Sequence, residues 1–432
     1  MAKPKLCLIP AAQGSKLFSV LPSSGVGDFD FSRSGKATRI NSQGLIEEVS
    51  NGQSRLNYPM IDGKVVGCPH HILEPQRTNL ITYSEDFSNS YWTKSNTLIT
   101  SNSVISPDGT LNADKFVEDF SNTAHRLFAN QIAVVSGSSY TFSLFAKYKN
   151  RQYLQLTFNG TQFNSTQFAT FDLINGVVSG FSSSVANIEK YKNGWYRLIF
   201  TATATVTSNT SAYIITSNVP NLRDPSYQGD GSSVYIYGAQ LEEGSYATSY
   251  IPTNGSSVTR NAETCNGAGD SATFNDSEGV LMVEASALAK DGTNRYISIS
   301  DGSDANRLYL RYRASNNVFS GGIVVNNSLQ VLFDTTDDNI LNFSKFLLKY
   351  KENDFEFWLN GFKLLVDTSG STFPNGTLNQ LRFDTGGTGV PFYGKTKQIQ
   401  YYNSALTDSE LEQLTSWTSF SDMAQGQQYS II

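Results

Sequence analysis

Three acidic residues in the second half of the chain have the spacing that bond-breaking chemistry needs. Glu352, Asp354 and Glu356 alternate with Asn353 and Phe355. Because alternate side chains of a β-strand share one face, the three carboxylates could line a single groove. There one group could attack a glycosidic carbon while another protonates the leaving oxygen. However, Asn353–Asp354 lies where a hairpin must turn, and a turn destroys the shared face. We therefore predict no catalytic residue.

The elements around this array predict an antiparallel sandwich over residues 271–420. FLLKYKENDFEFWLNGFKLLV indicates three strands with turns at Glu352–Asp354 and Asn360–Gly361. A short helix follows the last strand, with Thr407 as N-cap, Glu410 as its capping-box partner, and Leu406 and Leu411 as a hydrophobic staple.

The hairpin and the strand-then-helix ending resemble concanavalin A-like, laminin-G-type jelly rolls, including those on bacteriophage proteins. The acidic array itself is similar to that of laminarinase-type glycoside hydrolases. It departs from their pattern at Asn353, where those enzymes have an aliphatic residue.

Residues 81–258 predict another sandwich of short strands separated by turn residues. We place strands at 140–148, 153–158, 167–172, 195–202, 211–216 and 234–241. The sequence NGWYRL (193–198) resembles a strand of carbohydrate-binding-module-like jelly rolls. Trp92 and Trp195 could each stack on a sugar ring, but we expect them to pack in the core, as most Trp rings of such sandwiches do.

The polar side of the segment RQYLQLTF is the candidate glycan-binding face. Arg151, Tyr153 and Gln155 share one side of a strand whose other side is mostly apolar. A solvated outer face explains the same pattern, and both interpretations stay open at this point.

No metal or cofactor site is predicted. His70 and His71 lie near Cys68, but adjacent residues of an extended chain point in opposite directions, so one ion cannot easily take all three. The cysteines, at positions 7, 68 and 265, fit no zinc or haem spacing, and we expect free thiols. Asp108–Gly109 and Asp224–Pro225 could hold a structural Ca²⁺, although Asp-Gly is first of all a turn.

Composition excludes several classes of protein. With 432 residues the chain can form two or three domains, and its 16% charged and 12% aromatic residues suit many short strands. A net charge of −6 argues against binding to a nucleic-acid backbone. The sequence has no apolar run of the ~20 residues needed to insert into a membrane, and its first residues lack the apolar core of a signal peptide. We therefore expect synthesis in a cytosol.

The remaining segments suggest the biological setting. Residues 1–80 have sparse apolar positions, so we expect them to be ordered by another copy of the chain or by a larger particle. DFDFSRSGKATRINSQGLIEEV (28–49) and LEPQRTNLITYSEDFSN (73–89) resemble the N-terminal part of bacteriophage fibre proteins. GAQLEEGSYATSYIPTNGSSVTRNAE (238–263) resembles the joint between domains of phage tail-fibre, spike and other virion-surface proteins. The linker is placed at 259–270 and a C-terminal tail at 421–432.

The resemblance implies a structural subunit of a bacteriophage virion: a fibre, a spike or a head-decoration protein. It would be made in the host cytoplasm and displayed on the virion surface, attached to other virion proteins through residues 1–80. It implies a homotrimer and contact with a host-surface glycan. The alternatives are a polysaccharide depolymerase that uses the acidic array, and a bacterial surface adhesin, which would need a secretion signal.

Overall fold

The computed structural model describes residues 3–182, 185–387, 389–417 and 422 of the chain. Its secondary structure is almost entirely antiparallel β-strand, which confirms the predicted all-β sandwich fold. In the described part of the chain, no helix is long and apolar enough to cross a bilayer.

The elements fall into three consecutive groups. The first nine strands are β1 (Leu6–Gln13), β2 (Lys16–Leu21), β3 (Phe29–Ser32), β4 (Ala37–Ile40), β5 (Ile46–Val49), β6 (Leu56–Asn57), β7 (Met60–Ile61), β8 (Lys64–Val65) and β9 (His70–Leu73). The second group is β10 (Arg77–Asn79), β11 (Trp92–Ser95), β12 (Thr97–Ile105), β13 (Leu111–Glu118), β14 (Asn122–Thr123), β15 (Arg126–Val134), β16 (Ser139–Tyr148), β17 (Tyr153–Phe158), α1 (Gly160–Phe163), β18 (Phe168–Asp172), β19 (Val177–Ser182), β20 (Val185–Lys190), a 3₁₀ turn (Lys192–Gly194), β21 (Trp195–Thr203), β22 (Ser208–Ser217), β23 (Tyr227–Gln228), β24 (Ser233–Glu243) and β25 (Val258–Arg260). The third is β26 (Thr264–Ala268), β27 (Glu278–Ala287), β28 (Arg295–Ser300), β29 (Arg307–Arg313), β30 (Val318–Val325), β31 (Ser328–Asp334), β32 (Ser344–Lys351), β33 (Phe355–Leu359), β34 (Phe362–Asp367), β35 (Gln380–Arg382), β36 (Gly394–Tyr402) and α2 (Asp408–Thr415).

The first sandwich consists of two six-stranded sheets, ordered β11-β15-β22-β17-β18-β19 and β12-β13-β24-β16-β21-β20. Strand alternation turns one apolar face of each sheet inward. Leu144 on β16 and Leu156 on β17 meet in the shared core, and both are fully buried. Trp92 lies in the same core, and Trp195 is buried on the other side of its sheet, so neither ring is available to a sugar.

The second sandwich is one sheet of sixteen strands that closes around its own core. Its path is β31-β30-β29-β28-β35-β26-β3-β2-β1-β36-β27-β32-β33-β34, with β9 and β6 attached to β36. Leu310 from β29 and Leu348 from β32 belong to one buried cluster, so the two ends of the sheet face each other. The predicted turns at Glu352–Asp354 and Asn360–Gly361 are both present, and Asn360 and Gly361 have positive φ values.

The N-terminal segment is ordered within its own chain, whereas the sequence analysis expected that another copy or a larger particle would order it. Leu6 to Leu8 of β1 pair with Ile399 to Tyr401 of β36, and β3 pairs with β26. The buried faces of β1 to β3 complete the second core. The hairpin β4–β5 packs Ile46 against Phe145 and Trp195 of the first sandwich. The few apolar side chains of this segment are enough to order it, because they pack against apolar surfaces of the two sandwiches and need not form a core of their own.

The first sandwich is therefore inserted into the chain of the second, and two antiparallel strands, β10 and β25, connect them. We call these strands and the side chains around them the neck. Asn79 holds the neck to the first sandwich: its amide nitrogen donates to the carbonyls of Ala239 and Ile251, and its Oδ1 accepts from the Ile81 and Leu241 N–H groups. The sequence segments 73–89 and 238–263 thus meet in space at this junction.

Buried charges fill the neck. Arg55 donates through Nε to Glu263 and through Nη2 to Glu74, both at 2.8 Å. Arg33 and Arg260 contribute further bonds, to Glu263 at 2.8 Å and to Glu74 at 2.9 Å. No side chain of this set is more than 3% exposed. Each carboxylate is thus shared by two guanidinium groups, which offsets the cost of desolvating the charges.

Candidate ligand groove on the first sandwich

Two aromatic rings stack side by side on the outer face of the first sandwich. On β15, Leu127 and Ala129 point into the core, so Phe128 points outward. On β22, Tyr213 does the same, because Ala212 and Ile214 are core residues. The register pairs Phe128 with Tyr213, and their ring centroids lie 4.8 Å apart at an interplanar angle of 29°. Both rings are only half-buried, so they present apolar surface to solvent.

The loop 218–226 forms one wall beside these rings. Asp224, at φ 53°, accepts bonds from Arg126 Nε at 2.7 Å and Nη2 at 2.6 Å. Arg223 donates to Thr157 Oγ1 at 3.1 Å and to the Phe158 carbonyl at 2.8 Å. The loop, the rings and the end of β17 enclose the outer groove, a depression of about 320 Å³. It is lined by Ser95, Arg126, Phe128, Thr157, Asn159, Gly160, Tyr213, Ile215, Arg223 and Asp224.

The composition of the outer groove suits a hydroxyl-rich ligand. Stacked ring faces give an apolar platform for C–H groups, and the surrounding carboxylate, guanidinium and amide groups can bond hydroxyls. Arg126 uses Nε and Nη2 for Asp224, which leaves the donors of Nη1 for a ligand. Arg126 and Asp224 neutralise each other, whereas Arg223 donates to neutral acceptors only, so the lining has two guanidinium groups and one carboxylate.

Two residues of the predicted glycan face beside β17, Gln155 and Arg151, are bonded to other groups of the chain. Leu154 and Leu156 do point into the core, as the alternation indicates. Gln155 on the other side is fully buried under the loop 218–226: its amide donates to the Leu222 carbonyl at 3.0 Å and its Oε1 accepts from the Asp224 N–H at 2.8 Å. Arg151 is held by the carboxylates of Glu118 and Asp230. Gln155 therefore shapes the wall of the outer groove from beneath and does not line an open surface.

The sequence analysis did not identify Phe128, Tyr213, Arg126 or Arg223, although a signal for two of them was present. In RLFAN, Arg126 and Phe128 alternate with the apolar Leu127 and Ala129, which is the same pattern that singled out Arg151. No local pattern indicates that a loop far along the chain folds over Gln155 and leaves Phe128 uncovered. Asp224 was considered only as a calcium ligand, whereas its carboxylate is bonded to Arg126.

The turn places the residues of the acidic array in different surroundings. Glu352 lies in the turn before β33 and is exposed, while Glu356 lies inside β33 and is buried. Glu356 accepts bonds from Lys349 at 3.1 Å and from the Trp358 indole at 2.7 Å. Asp354 is also bonded to Lys349. Asp354 and Glu356 are therefore held together by one lysine, and Glu352 does not share their ion pair.

The histidines and cysteines show no metal-ligand geometry within the described residues, where no cluster of three such ligands occurs. Lys395 and Thr396 of β36 pair with Ile72 and His71, so His71 points to the second core and its neighbour His70 to the opposite side. Asp108 organises its own turn by accepting from Thr110 N–H at 2.7 Å and from the Ser106 hydroxyl at 2.6 Å. All the cysteines are free thiols, as predicted.

Comparison with known proteins identifies no family. No family model matches the chain, and no curated protein matches it. Among solved structures, the Ruminococcus gnavus IT-sialidase CBM40 bound to α2,3-sialyllactose is 15% identical, with a TM-score of 0.29, over 35% of this chain and 94% of that one. The leech intramolecular trans-sialidase is 20% identical, with a TM-score of 0.28, over 34% of this chain and 24% of that one. Trypanosoma rangeli sialidase in complex with sialic acid is 9% identical, with a TM-score of 0.27, over 94% and 78%. These scores are too low to carry an argument about this chain.

Proposed function

We propose that the chain is a non-catalytic structural subunit that binds a saccharide in the outer groove. The observation that carries the proposal is the stacked pair Phe128–Tyr213 on an outer sheet face, next to the Arg126–Asp224 pair. Rings in this setting supply apolar contact area, and the adjacent charge pair supplies hydrogen bonds of defined direction.

We further propose that this subunit belongs to the surface of a bacteriophage particle. The support is the resemblance of residues 28–49 and 73–89 to the N-terminal part of phage fibre proteins and of residues 238–263 to a phage joint, together with exposed apolar side chains on the hairpin β1–β2. Ile9 is 52% exposed, Phe18 37% and Val20 50%. Such a row is a surface that another virion protein can cover. A homotrimer is part of the same proposal, and the mass of the purified protein in solution tests it.

A glycan array with the purified chain tests the binding function, followed by titration of the best saccharide. Tyr213→Ala removes half of the aromatic platform, and we expect affinity to fall by about tenfold or more. Phe181→Ala is the matched control, because Phe181 is 61% exposed on the edge strand of the same sheet, outside the groove. Binding that is equally weakened by both variants, or an array without any signal, contradicts the proposal.

The enzymatic alternative has its own test. Incubation of the wild type with host envelope polysaccharide should release no new reducing ends, because Glu356 is bonded to Lys349 and Trp358. Release that disappears in Glu356→Gln would show instead that the chain is a depolymerase.

A further inference from the structure

A second cavity lies between the two sandwiches, on the opposite side of the first sandwich from the outer groove. Its larger part measures about 440 Å³ and is formed by the N-terminal segment, the turn before β19, the strand β20 and the strand β36. A smaller part of about 180 Å³ continues beneath β4. Ile40, Asn57, Glu189, Tyr191 and Lys395 line both parts, so we treat them as one space, the junction cavity.

Two cations of the junction cavity have no acidic partner. Arg197 is only 5% exposed, and its Nη2 donates to neutral acceptors, the Ser143 hydroxyl and the Thr248 carbonyl. Its Nε–H has no partner at all in the described structure. Lys395 is half-buried and forms no ion pair with any described residue. No carboxylate lies within ion-pair distance of Arg197: its guanidinium lies over the Phe145 ring, and the buried Glu242 interacts with it only at longer range.

A third donor faces the same space. His70 is 2% exposed, and its Nε2 lies 3.3 Å from the Asn57 amide nitrogen, so Nε2 is the acceptor and Nδ1 carries the proton. That Nδ1 group has no partner among the described residues. Burial, followed by the nearby Lys395 and Lys397, holds the pKa of His70 well below its usual range, so the ring is neutral. Three separate strands therefore present hydrogen-bond donors that lack acceptors.

Two acidic residues that line the cavity, Glu74 and Glu189, form no bond with these donors. Glu74 is occupied by Arg55 and Arg260 in the neck. Lys397 is already paired, because its ammonium lies 3.6 Å from Glu284 and over the Phe343 ring. Glu189 is exposed at the mouth and lies more than ion-pair distance from Lys395.

We propose that the junction cavity binds an oxyanion group, a carboxylate or a phosphate, between Lys395 and Arg197. The body of a monosaccharide-sized ligand fits the larger part, whose walls include Tyr58, Tyr196 and Phe343. The anion supplies an acceptor for Lys395, which lines both parts of the cavity, and a negative charge beside Arg197, which lines the smaller part. Since residues of both sandwiches line the cavity, a bound ligand also contacts both and stabilises their association.

Calorimetric titration of the full chain, at constant ionic strength, tests the site. The probes are inorganic phosphate, D-glucuronate and, as the uncharged control, D-glucose. We expect saturable binding of at least one anion, no binding of glucose, and a rise in melting temperature with the anion that binds. Binding of glucuronate alone would indicate that the natural ligand is an acidic sugar. Binding of phosphate would indicate that it is a free or esterified phosphate.

Substitutions assign the binding to the cavity. Lys395→Met keeps the aliphatic stem and removes the charge, and we expect affinity to fall by about tenfold or more. Lys149→Met is the matched control, because Lys149 is exposed on the first sandwich away from the cavity. If Lys395→Met does not fold, Lys395→Gln replaces it. Tyr213→Ala, in the outer groove, should leave anion binding unchanged, so failure of the proposed saccharide binding and failure of this site are distinguishable. Absence of binding by both anions, or equal affinity in the wild type and Lys395→Met, overturns the proposal.

Discussion

The neck and the outer groove both contain arginine–carboxylate pairs, but the pairs differ in what surrounds them. In the neck, the side chains of Arg55 and Glu263 have no exposed surface, and Glu263 also accepts from Arg33 and the Glu74 N–H. In the groove, the side chains of Arg126 and Asp224 keep 32% and 22% of their surface exposed. The difference shows that burial decides the role of such a pair. In the neck, every charged group is bonded and shielded from water, so the side chains are held in one geometry. In the groove, the pair is partly exposed and keeps hydrogen-bond donors for a ligand.

The largest expected effect is on the neck. Arg55→Ala leaves Glu74 and Glu263 buried with fewer counter-charges, and we expect a loss of about 3–5 kcal/mol in the free energy of unfolding. Denaturant unfolding measures it. The control is Arg39→Ala, because Arg39 pairs with Glu47, whose side chain is 42% exposed, and should cost only about 0–1 kcal/mol. Similar small losses for both variants would show that the neck charges do not stabilise the junction.

The buried charges of the neck also predict that the free energy of unfolding decreases in acid, and we call this part of the pH profile the acid limb. Burial alone would raise the pKa of Glu74, but Arg260 and Arg55 outweigh it and lower the pKa to about 2. Because the folded pKa lies below the unfolded one, the ionised group stabilises the protein above about pH 4.5, and this contribution of about 3 kcal/mol disappears as the pH falls toward 2. Unfolding measured between about pH 7 and pH 3 checks the sign. Glu74→Gln should be less stable at neutral pH and show a flatter acid limb; an unchanged limb would assign the acid sensitivity to other carboxyl groups.

The smallest effect on stability is expected in the groove. Arg126→Ala should change the free energy of unfolding by only about 0–1 kcal/mol, because its pair is half-exposed. Its effect on saccharide affinity should be larger, about tenfold, since the donors toward the ligand are removed. Arg126→Lys keeps the positive charge but loses the planar guanidinium, so its saccharide affinity should lie between those of the wild type and Arg126→Ala. If Arg126→Ala lost as much stability as Arg55→Ala and kept its saccharide affinity, the proposed difference between the neck and the outer groove would be wrong.

The elements that could be predicted from the sequence are those coded by neighbouring residues. Glu410 accepts from the Thr407 N–H at 3.1 Å at the start of α2, as the capping-box spacing predicts, and Leu406 and Leu411 are buried beside it. The alternation in β17 correctly assigned Leu154 and Leu156 to the core. These features depend on spacings of two to five residues, which are visible in any short window.

Features that join distant segments could not be predicted. Leu6 to Leu8 pair with Ile399 to Tyr401. No local sequence pattern specifies with which distant strand an edge strand pairs. The loop 218–226 covers Gln155 and spares Phe128, although both residues alternate in the same way with apolar neighbours. The residues of the junction cavity likewise come from three separate parts of the chain.

The amino-acid sequence by itself determined the all-β class, the turns at 352–354 and 360–361, the inward face of β17 and the terminal helix, because these features depend on spacings of a few residues. Only the tertiary structure decided which outward faces stay open, which charges are neutralised and which donors are left without acceptors. Those properties depend on the distance and burial of groups that are far apart along the chain, and folding alone brings them together.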